Sequence, residues 1–347
     1  MRGGRYPERP VKAIVLVGGE GTRLRPLTET IPKPLVPLVD RPFLGHVLDH
    51  LGRHGVDEVL LSSPYLEERF AAFLHARTAG PSVTWITESS PLGTGGAVAN
   101  AARGLDASFL VLNGDILTDL DLSALVARHR KTGATATLTV SPVQDARPFG
   151  LVSVGDQDRI EEFREKPEQP VPGLVNAGTY VLEPRAVEGV SPDRPVSIER
   201  EVFPGLIEAG EPVYGFVSSA YWIDVGTPEK YLRATFDALE GRIGELSYSA
   251  PYVDPKAEVS LRSHLGRWVV AGPGSVIGAN AEVEDSVLLA RAVIEAGAKV
   301  RESILGPGAR VGAGAIVHGA VLAEGSAIAP GAVSEGARVA VGETLTA

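Results

Sequence analysis

Three glycines and an arginine stand within six residues, Gly18-Gly19-Glu20-Gly21-Thr22-Arg23, directly after the apolar run Val11–Val17, and Lys33 follows between Pro32 and Pro34. A glycine-rich turn at the end of a buried strand lets backbone amides approach anionic oxygens, because no Cβ keeps the chain away. Arg23 and Lys33 add two positive charges suited to flanking a polyphosphate. The dinucleotide fingerprint fails, since Leu24 occupies the third glycine slot. The Walker pattern fails for want of a Gly-Lys-Ser/Thr. Two acids complete the set. Asp115 ends the apolar run Phe109-Leu-Val-Leu-Asn-Gly-Asp115, and Asp224 lies inside Tyr221-Trp-Ile-Asp-Val-Gly226. Carboxylates at the ends of apolar strands beside a phosphate turn suit Mg²⁺, which is held by one or two carboxylates plus substrate phosphates.

Six motifs run in order: G-G-x-G-T-R-L-x-P-L-T from Gly18, P-K-P at Lys33, N-G-D at Asp115, E-K-P at Glu165-Lys166, N-A-G at Asn176 and W-x-D-x-G at Asp224. Together they resemble the sugar-phosphate nucleotidyltransferases over residues 11 to 239. The resemblance implies that Gly18, Gly19, Gly21, Thr22 and Arg23 cradle a nucleoside triphosphate, with Lys33 on phosphate. It further implies Mg²⁺ on Asp115 and Asp224, and a sugar phosphate bound by Gly150, Glu165, Lys166 and Asn176, Lys166 meeting the phosphate and Glu165 the ring hydroxyls. The chemistry implied is in-line attack of a sugar 1-phosphate on the nucleotide α-phosphorus, with Arg23, Lys33, Lys166 and Asp115 in catalytic roles. The attacking oxygen is already anionic, so no general base is needed.

The stretch Thr87-Glu88-Ser-Ser-Pro91-Leu92-Gly93-Thr94-Gly95 resembles the family's base-binding loop, with Glu88, Gly93 and Thr94 toward the nucleotide. A carboxylate accepts hydrogen bonds only, and guanine offers adjacent N1–H and N2–H donors, so Glu88 favours GTP. Its plain alternative is a solvated loop acid. Ser197-Ile-Glu199-Arg-Glu201-Val-Phe-Pro204 adds a likeness to the mannose-1-phosphate guanylyltransferases, which make GDP-mannose, although Ser197 reads equally well as a helix N-cap. Glucose or heptose 1-phosphate, and a uridylyl- or thymidylyltransferase, stay open here. So do a catalytically silent subunit of the same fold and acyl transfer by the C-terminal region through His264 or His318.

These residues need a scaffold that brings strand ends together. The 347 residues are 44% hydrophobic, enough for a full core. From residue 11 to 239, short apolar runs alternate with amphipathic stretches. Strands are predicted at Val11–Val17, Val56–Ser62, Val83–Thr87, Phe109–Leu112 and Thr135–Val140. Helices are predicted at Pro42–His54, Glu67–Ala76, Gly95–Arg103 and Leu122–Lys131. That alternation predicts an α/β, Rossmann-like domain with a mostly parallel mixed sheet.

From Tyr252 the sequence turns to Gly, Ala and Val and repeats. Val283-Glu-Asp-Ser286-Val-Leu returns as Val300-Arg-Glu-Ser303-Ile-Leu and as Val317-His-Gly-Ala320-Val-Leu, a shift of 17 residues each time. One aliphatic residue in six, with glycines recurring at the corners, resembles the left-handed parallel hexapeptide β-helix, about five coils over 252–347. Residues 1–10 then form a flexible tail and 240–251 a linker.

The net charge of −10 and the pI near 5.3 argue against nucleic acid as a partner. No cysteine is present, which leaves carboxylates, His and water to hold any metal. No stretch reaches the ~20 apolar residues of a membrane span. The expectation is a cytoplasmic homo-oligomer, joined through the β-helix, whose faces and open coil ends need covering.

Overall fold

The computed structural model describes residues 11–64, 68–88, 90–244 and 246–346. The predicted tail 1–10, Glu67, and single positions in the base-binding loop and in the linker lie outside them. The chain divides into two compact units. One comprises the residues up to Gly18 with His46–Trp222, the other Gly19–Gly45 with Ile223 to the C-terminus.

The first unit is built on a nine-stranded mixed sheet. Its strands are β1 (Ala13–Leu16), β2 (Glu58–Ser63), β3 (Ser82–Thr87), β4 (Phe109–Asn113), β5 (Ala136–Val143), β6 (Gly150–Val154), β7 (Ile160–Glu165), β8 (Gly173–Leu182) and β9 (Val213–Val217). The order β7-β6-β8-β4-β1-β2-β3 forms its main path, with β5 pairing β8 and β9. β1 sits centrally, parallel to both β2 and β4. β8 runs antiparallel to β4, β5 and β6, and it carries the sheet from its parallel half to its antiparallel half. Ile14, Val111, Leu138, Tyr180 and Phe203 are buried in one continuous core, which is why the central strands read as unbroken apolar runs.

Helices α1 (Phe43–Arg53), α2 (Glu68–Ala76), α3 (Gly93–Ala101) and α4 (Leu122–Thr132) match the predicted positions within two residues at every end. α4 shows why its limits were readable. The Asp121 carboxylate accepts from the Ala124 amide at its start, and Gly133, at φ 62°, closes its end. α3 begins two residues earlier than its sequence pattern suggests, because Gly93 and Thr94 already belong to its first turn.

In the second unit the 17-residue repeat becomes three stacked parallel sheets, with six, six and five strands. Val283, Val300 and Val317 are register partners in one sheet. Val287, Ile304 and Val321 stack in another. Aliphatic side chains of every coil fill the interior, Leu288, Ile294, Val300, Leu305 and Val311 among them. The corner serines explain part of the repeat: the Ser303 amide donates to Ser286 Oγ at 3.0 Å, and the Ala320 amide to Ser303 Oγ at 3.0 Å. The same unit contains the helix Pro228–Leu239, here α5, capped by the Thr227 hydroxyl accepting from the Lys230 amide. Among the described residues, no helix is long and apolar enough to cross a membrane.

Candidate active site

In the first unit the glycines nearest the strand ends are set by close approach of neighbouring chain. A Cβ on Gly18 would lie 2.6 Å from Pro64 Cδ, and one on Gly114 would lie 2.5 Å from the Leu16 carbonyl oxygen. The Gly114 amide donates to that same oxygen at 2.9 Å. The glycine of N-G-D thus lets the chain fold against the end of β1, and it leaves Asp115 half-buried just beyond β4.

Glu88 is buried, at 6% exposure, so it is not a solvated loop acid. One carboxylate oxygen accepts from Ser62 Oγ at 3.1 Å, and the other from the Leu92 amide at 3.0 Å. Each oxygen keeps one further lone pair for a ligand donor. Gly93 has φ 70°, and a Cβ there would sit 2.6 Å from the Val196 carbonyl oxygen, while one on Gly95 would meet the Ile198 amide at 3.1 Å. The glycines that open α3 are therefore demanded by the segment 196–198 packing across its first turn. Thr94 Oγ1 donates to Glu199 at 2.7 Å and accepts from the Ile198 amide at 2.9 Å.

The residues expected to meet the sugar phosphate lie on and just after β6, β7 and β8. Glu165 ends β7 opposite Gly150. A Cβ on Gly150 would press on the Phe163 ring at 2.5 Å and come within 3.0 Å of Glu165 Oε2. Burial pushes the Glu165 carboxyl above the usual carboxylate range, and the nearby charge of Glu199 pushes the same way against the pull of Lys166. Lys166 follows in the left-handed region at φ 50°, its amide donating to the Phe149 carbonyl at 2.9 Å and its exposed ammonium 3.6 Å from Glu165. A non-glycine residue held there costs of order 1–3 kcal/mol. Asn176 donates from Nδ2 to the Tyr180 hydroxyl at 2.8 Å, and its Oδ1 accepts from the Gly178 amide at 3.0 Å.

In the second unit, Gly21 at φ 63° caps the 3-10 turn Thr22–Leu24. The Gly21 carbonyl accepts from Thr28 Oγ1 at 2.8 Å, and a Cβ on Gly21 would touch Thr28 and Lys33 at 3.1 Å. Two motifs that are distant in sequence, G-x-G-T-R and P-K-P, are thereby packed together. Thr22 and Arg23 are exposed on this turn. Gly19 differs from its neighbours, for a Cβ there would meet nothing within 4 Å. Arg23 lies 3.9 Å from Asp224 Oδ2, and Lys230 lies 3.4 Å from the same oxygen. Asp224 Oδ1 is buried and has no hydrogen-bond partner among the described residues. Among the described residues there is no cluster of three or more acids or histidines. One or two carboxylates, completed by phosphate and water, are a donor set that fits Mg²⁺.

Sequence reasoning missed Lys230 and the Thr94–Glu199 link. Lys230 is six residues beyond Asp224 and carries no motif. Glu199 sits in a stretch that reads as a capped turn, and Ser197 does cap it, accepting from the Arg200 amide at 3.2 Å. His318, the candidate acyl-transfer base, is half exposed between Glu302 and Glu335 at 3.7 and 3.8 Å, on the outside of the coils.

A nucleotidyl transferase family model matches residues 12–241, and a GMPPB C-terminal domain model matches residues 248–346. The chain belongs to the nucleotidyl transferase family. It is 41% identical over 278 residues to a mannose-1-phosphate guanylyltransferase of Mycobacterium tuberculosis, covering 76% of this chain and 77% of that one. It is 35% identical over 291 residues to mannose-1-phosphate guanylyltransferase 1 of Arabidopsis thaliana, covering 81% and 80%. Among solved structures, HddC from Yersinia pseudotuberculosis matches with a TM-score of 0.57 and 30% identity, over 65% of this chain and 98% of that one. HddC has also been solved in complex with GMP-PN. This member of the family is a sugar-1-phosphate nucleotidyltransferase with a mostly parallel mixed α/β sheet and a C-terminal stack of three parallel sheets.

Proposed function

We propose that this chain transfers a guanylyl group from GTP to mannose 1-phosphate, giving GDP-mannose and pyrophosphate. The observation that carries the guanine preference is the buried Glu88. Its two oxygens are fixed by Ser62 and Leu92, so its remaining lone pairs are pre-aimed acceptors. Guanine supplies two adjacent donors to such an edge, whereas uracil or thymine supplies one donor flanked by acceptors and leaves an acceptor pair facing an acceptor. The sugar assignment leans on the two guanylyltransferase relatives and on the matched C-terminal domain.

Each residue then has a physical task. Gly18, Gly21 and Thr22 shape the turn around the triphosphate, and Gly19 leaves open space where a phosphate oxygen can reach the backbone. Gly93 and Thr94 set the first turn of α3 against the nucleotide. Arg23 and Lys33 offset the triphosphate charge, and Lys166 holds the sugar phosphate so that its oxygen lies in line with the α-phosphorus. Glu165 and Asn176 orient the ring, with Gly150 keeping room beside Glu165. Asp115 and the unpartnered Oδ1 of Asp224 would hold Mg²⁺. When bound, the ion screens the repulsion between the two anionic reactants.

Pyrophosphate release measured for ATP, GTP, CTP, UTP and dTTP, each against mannose, glucose and heptose 1-phosphates, tests the reading. GTP with mannose 1-phosphate is expected to give the highest kcat/KM. Preference for a pyrimidine nucleotide would overturn the role of Glu88 and leave the family membership untouched. We further propose that the stacked C-terminal sheets join subunits. A monomer in sedimentation at micromolar concentration would refute that.

A further inference from the structure

Glu199 lies on a single π-helical turn, Ile198–Val202, which leads directly into the helix Phe203–Glu208. Such turns are rare and concentrate at functional sites, because the widened ring re-aims a side chain that a regular helix would carry elsewhere. Here the re-aimed side chain is Glu199. One of its oxygens, Oε2, accepts from both Thr94 Oγ1 at 2.7 Å and Ser197 Oγ at 2.9 Å. Its other oxygen, Oε1, has no protein donor among the described residues, and it is not sealed from solvent. An ionised carboxylate held on one oxygen, with the second left free, is a fixed acceptor awaiting a donor.

What surrounds that free oxygen points to the donor. The π-helical turn packs against β7, which ends at Glu165, and the charge of Glu199 is felt there and by the buried Tyr180 hydroxyl, to which Asn176 donates. Glu165 and Glu199 are thus two carboxylates near the Asn176–Tyr180 pair, and they repel even with the Lys166 ammonium 3.6 Å from Glu165. A ligand that brings two hydroxyl donors relieves the repulsion by bonding both. A polyhydroxylated ring does this, and a phosphate group does not.

The opposite side of Glu199 faces the nucleotide segment. Thr94 is in the first turn of α3, and its hydroxyl both donates to Glu199 and accepts from the Ile198 amide. The Gly95 and Gly96 amides donate to the Val196 carbonyl at 2.8 and 3.3 Å, and the Val196 amide donates to the Leu92 carbonyl at 2.8 Å. Leu92 in turn donates to Glu88. Bonds within one unit therefore run without a break from Glu199 to the base-reading carboxylate.

We infer that Glu199 is a specificity-determining residue for the sugar, its free oxygen accepting a ring hydroxyl opposite Glu165, and that Thr94 positions it. This rests on the proposed function only in that the ligand is a hexose 1-phosphate. Thr94 is the positioning residue because it fixes which Glu199 oxygen is spent on protein and which is left for the ring.

The test uses the full chain. Titration calorimetry with mannose 1-phosphate and with glucose 1-phosphate is combined with steady-state kinetics on wild type, Glu199→Gln, Thr94→Val and Thr94→Ser. Glu199→Gln keeps the shape but turns one acceptor into a donor. It is expected to weaken mannose 1-phosphate binding at least tenfold and to shrink the mannose-over-glucose preference at least fivefold, with KM for GTP changed less than threefold. Thr94→Val should weaken sugar binding about fivefold and Thr94→Ser should restore it. Unchanged sugar affinity in Glu199→Gln, or an equal rise in KM for both substrates, overturns the inference. A wild type that binds another hexose 1-phosphate more tightly overturns the mannose reading instead, and the Glu199 variants are then judged on that sugar.

Discussion

The stacked C-terminal coils and the end of the nine-stranded sheet both hold non-glycine residues in the left-handed region, but for different reasons. In the coils such positions recur: Asn280, Gly297, Gly314 and Gly331 are one corner, and Asp285, Glu302, Gly319 and Gly336 another, all at positive φ and 17 residues apart. At Glu302 the corner alone requires the conformation, and glycine does the same work in the next two coils. At Lys166 the position occurs once, and a cation is kept there although glycine would be easier. Repetition marks what the fold needs; outside the repeat Val39, Gln157, Asp158 and Lys166 are left-handed, and of these only Lys166 lies in a motif of the proposed site.

Truncation in the coils should have the largest effect on stability and little on chemistry. Leu305→Ala removes a fully buried side chain and is expected to cost about 2–5 kcal/mol. Chemical denaturation should show this, while kcat per folded molecule stays within twofold. The reverse pattern is expected of Asp224→Asn, which blunts a buried carboxylate oxygen that has no hydrogen-bond partner among the described residues. Turnover should fall by about 2.7–4 kcal/mol of barrier, by analogy with loss of one preorganised charge-stabilising group, with an unchanged circular dichroism spectrum. A folded Asp224→Asn enzyme at near-normal rate removes Asp224 from the metal site.

Acid should also separate the regions. Burial, helped by neighbouring His54 and Arg53, lowers the His50 pKa from 6.5 to about 4, and the ring is held neutral in the fold. Stability from this residue is complete above pH 6.5 and is lost as pH falls toward 4, since the unfolded chain takes up the proton first. The loss amounts to roughly 3 kcal/mol. In the coils the histidine His318 is half exposed rather than buried. Hydrogen exchange at pH 4.5 should therefore quicken in α1, around Leu48 and Leu51, before it quickens around Val300 and Leu305. His50→Asn should remove the difference.

The smallest and most discriminating pair is Lys166→Gly with Glu302→Gly. Each releases one left-handed side chain and should raise stability by about 1 kcal/mol, read as a shift in denaturation midpoint. Only Lys166→Gly should lose activity. If both variants keep full activity, the contrast between corner and site collapses.

The alternation of apolar runs and the 17-residue period were legible because local forces set them. A strand buried on both faces must be apolar throughout, and a coil must place one aliphatic residue inward at each side. The capped ends of α4 were equally readable, since Asp121 and Gly133 act on their own neighbours. The candidate residues of the site were legible as types. Glycines and charges at strand ends announce phosphate chemistry, and the ordered motifs narrowed it to one family. Some things depended on which distant backbone comes close. Gly93 and Gly95 are glycines because residues 196–198 cross α3, Glu88 is buried because Ser62 and Leu92 engage it, and Glu199 owes its orientation to Thr94, 105 positions away in the chain. A sequence records the residue at each position, and periodicity reports contacts a few residues apart. Hydrogen bonds between segments a hundred residues apart leave no period to read, so those roles were decided only when the chain closed on itself.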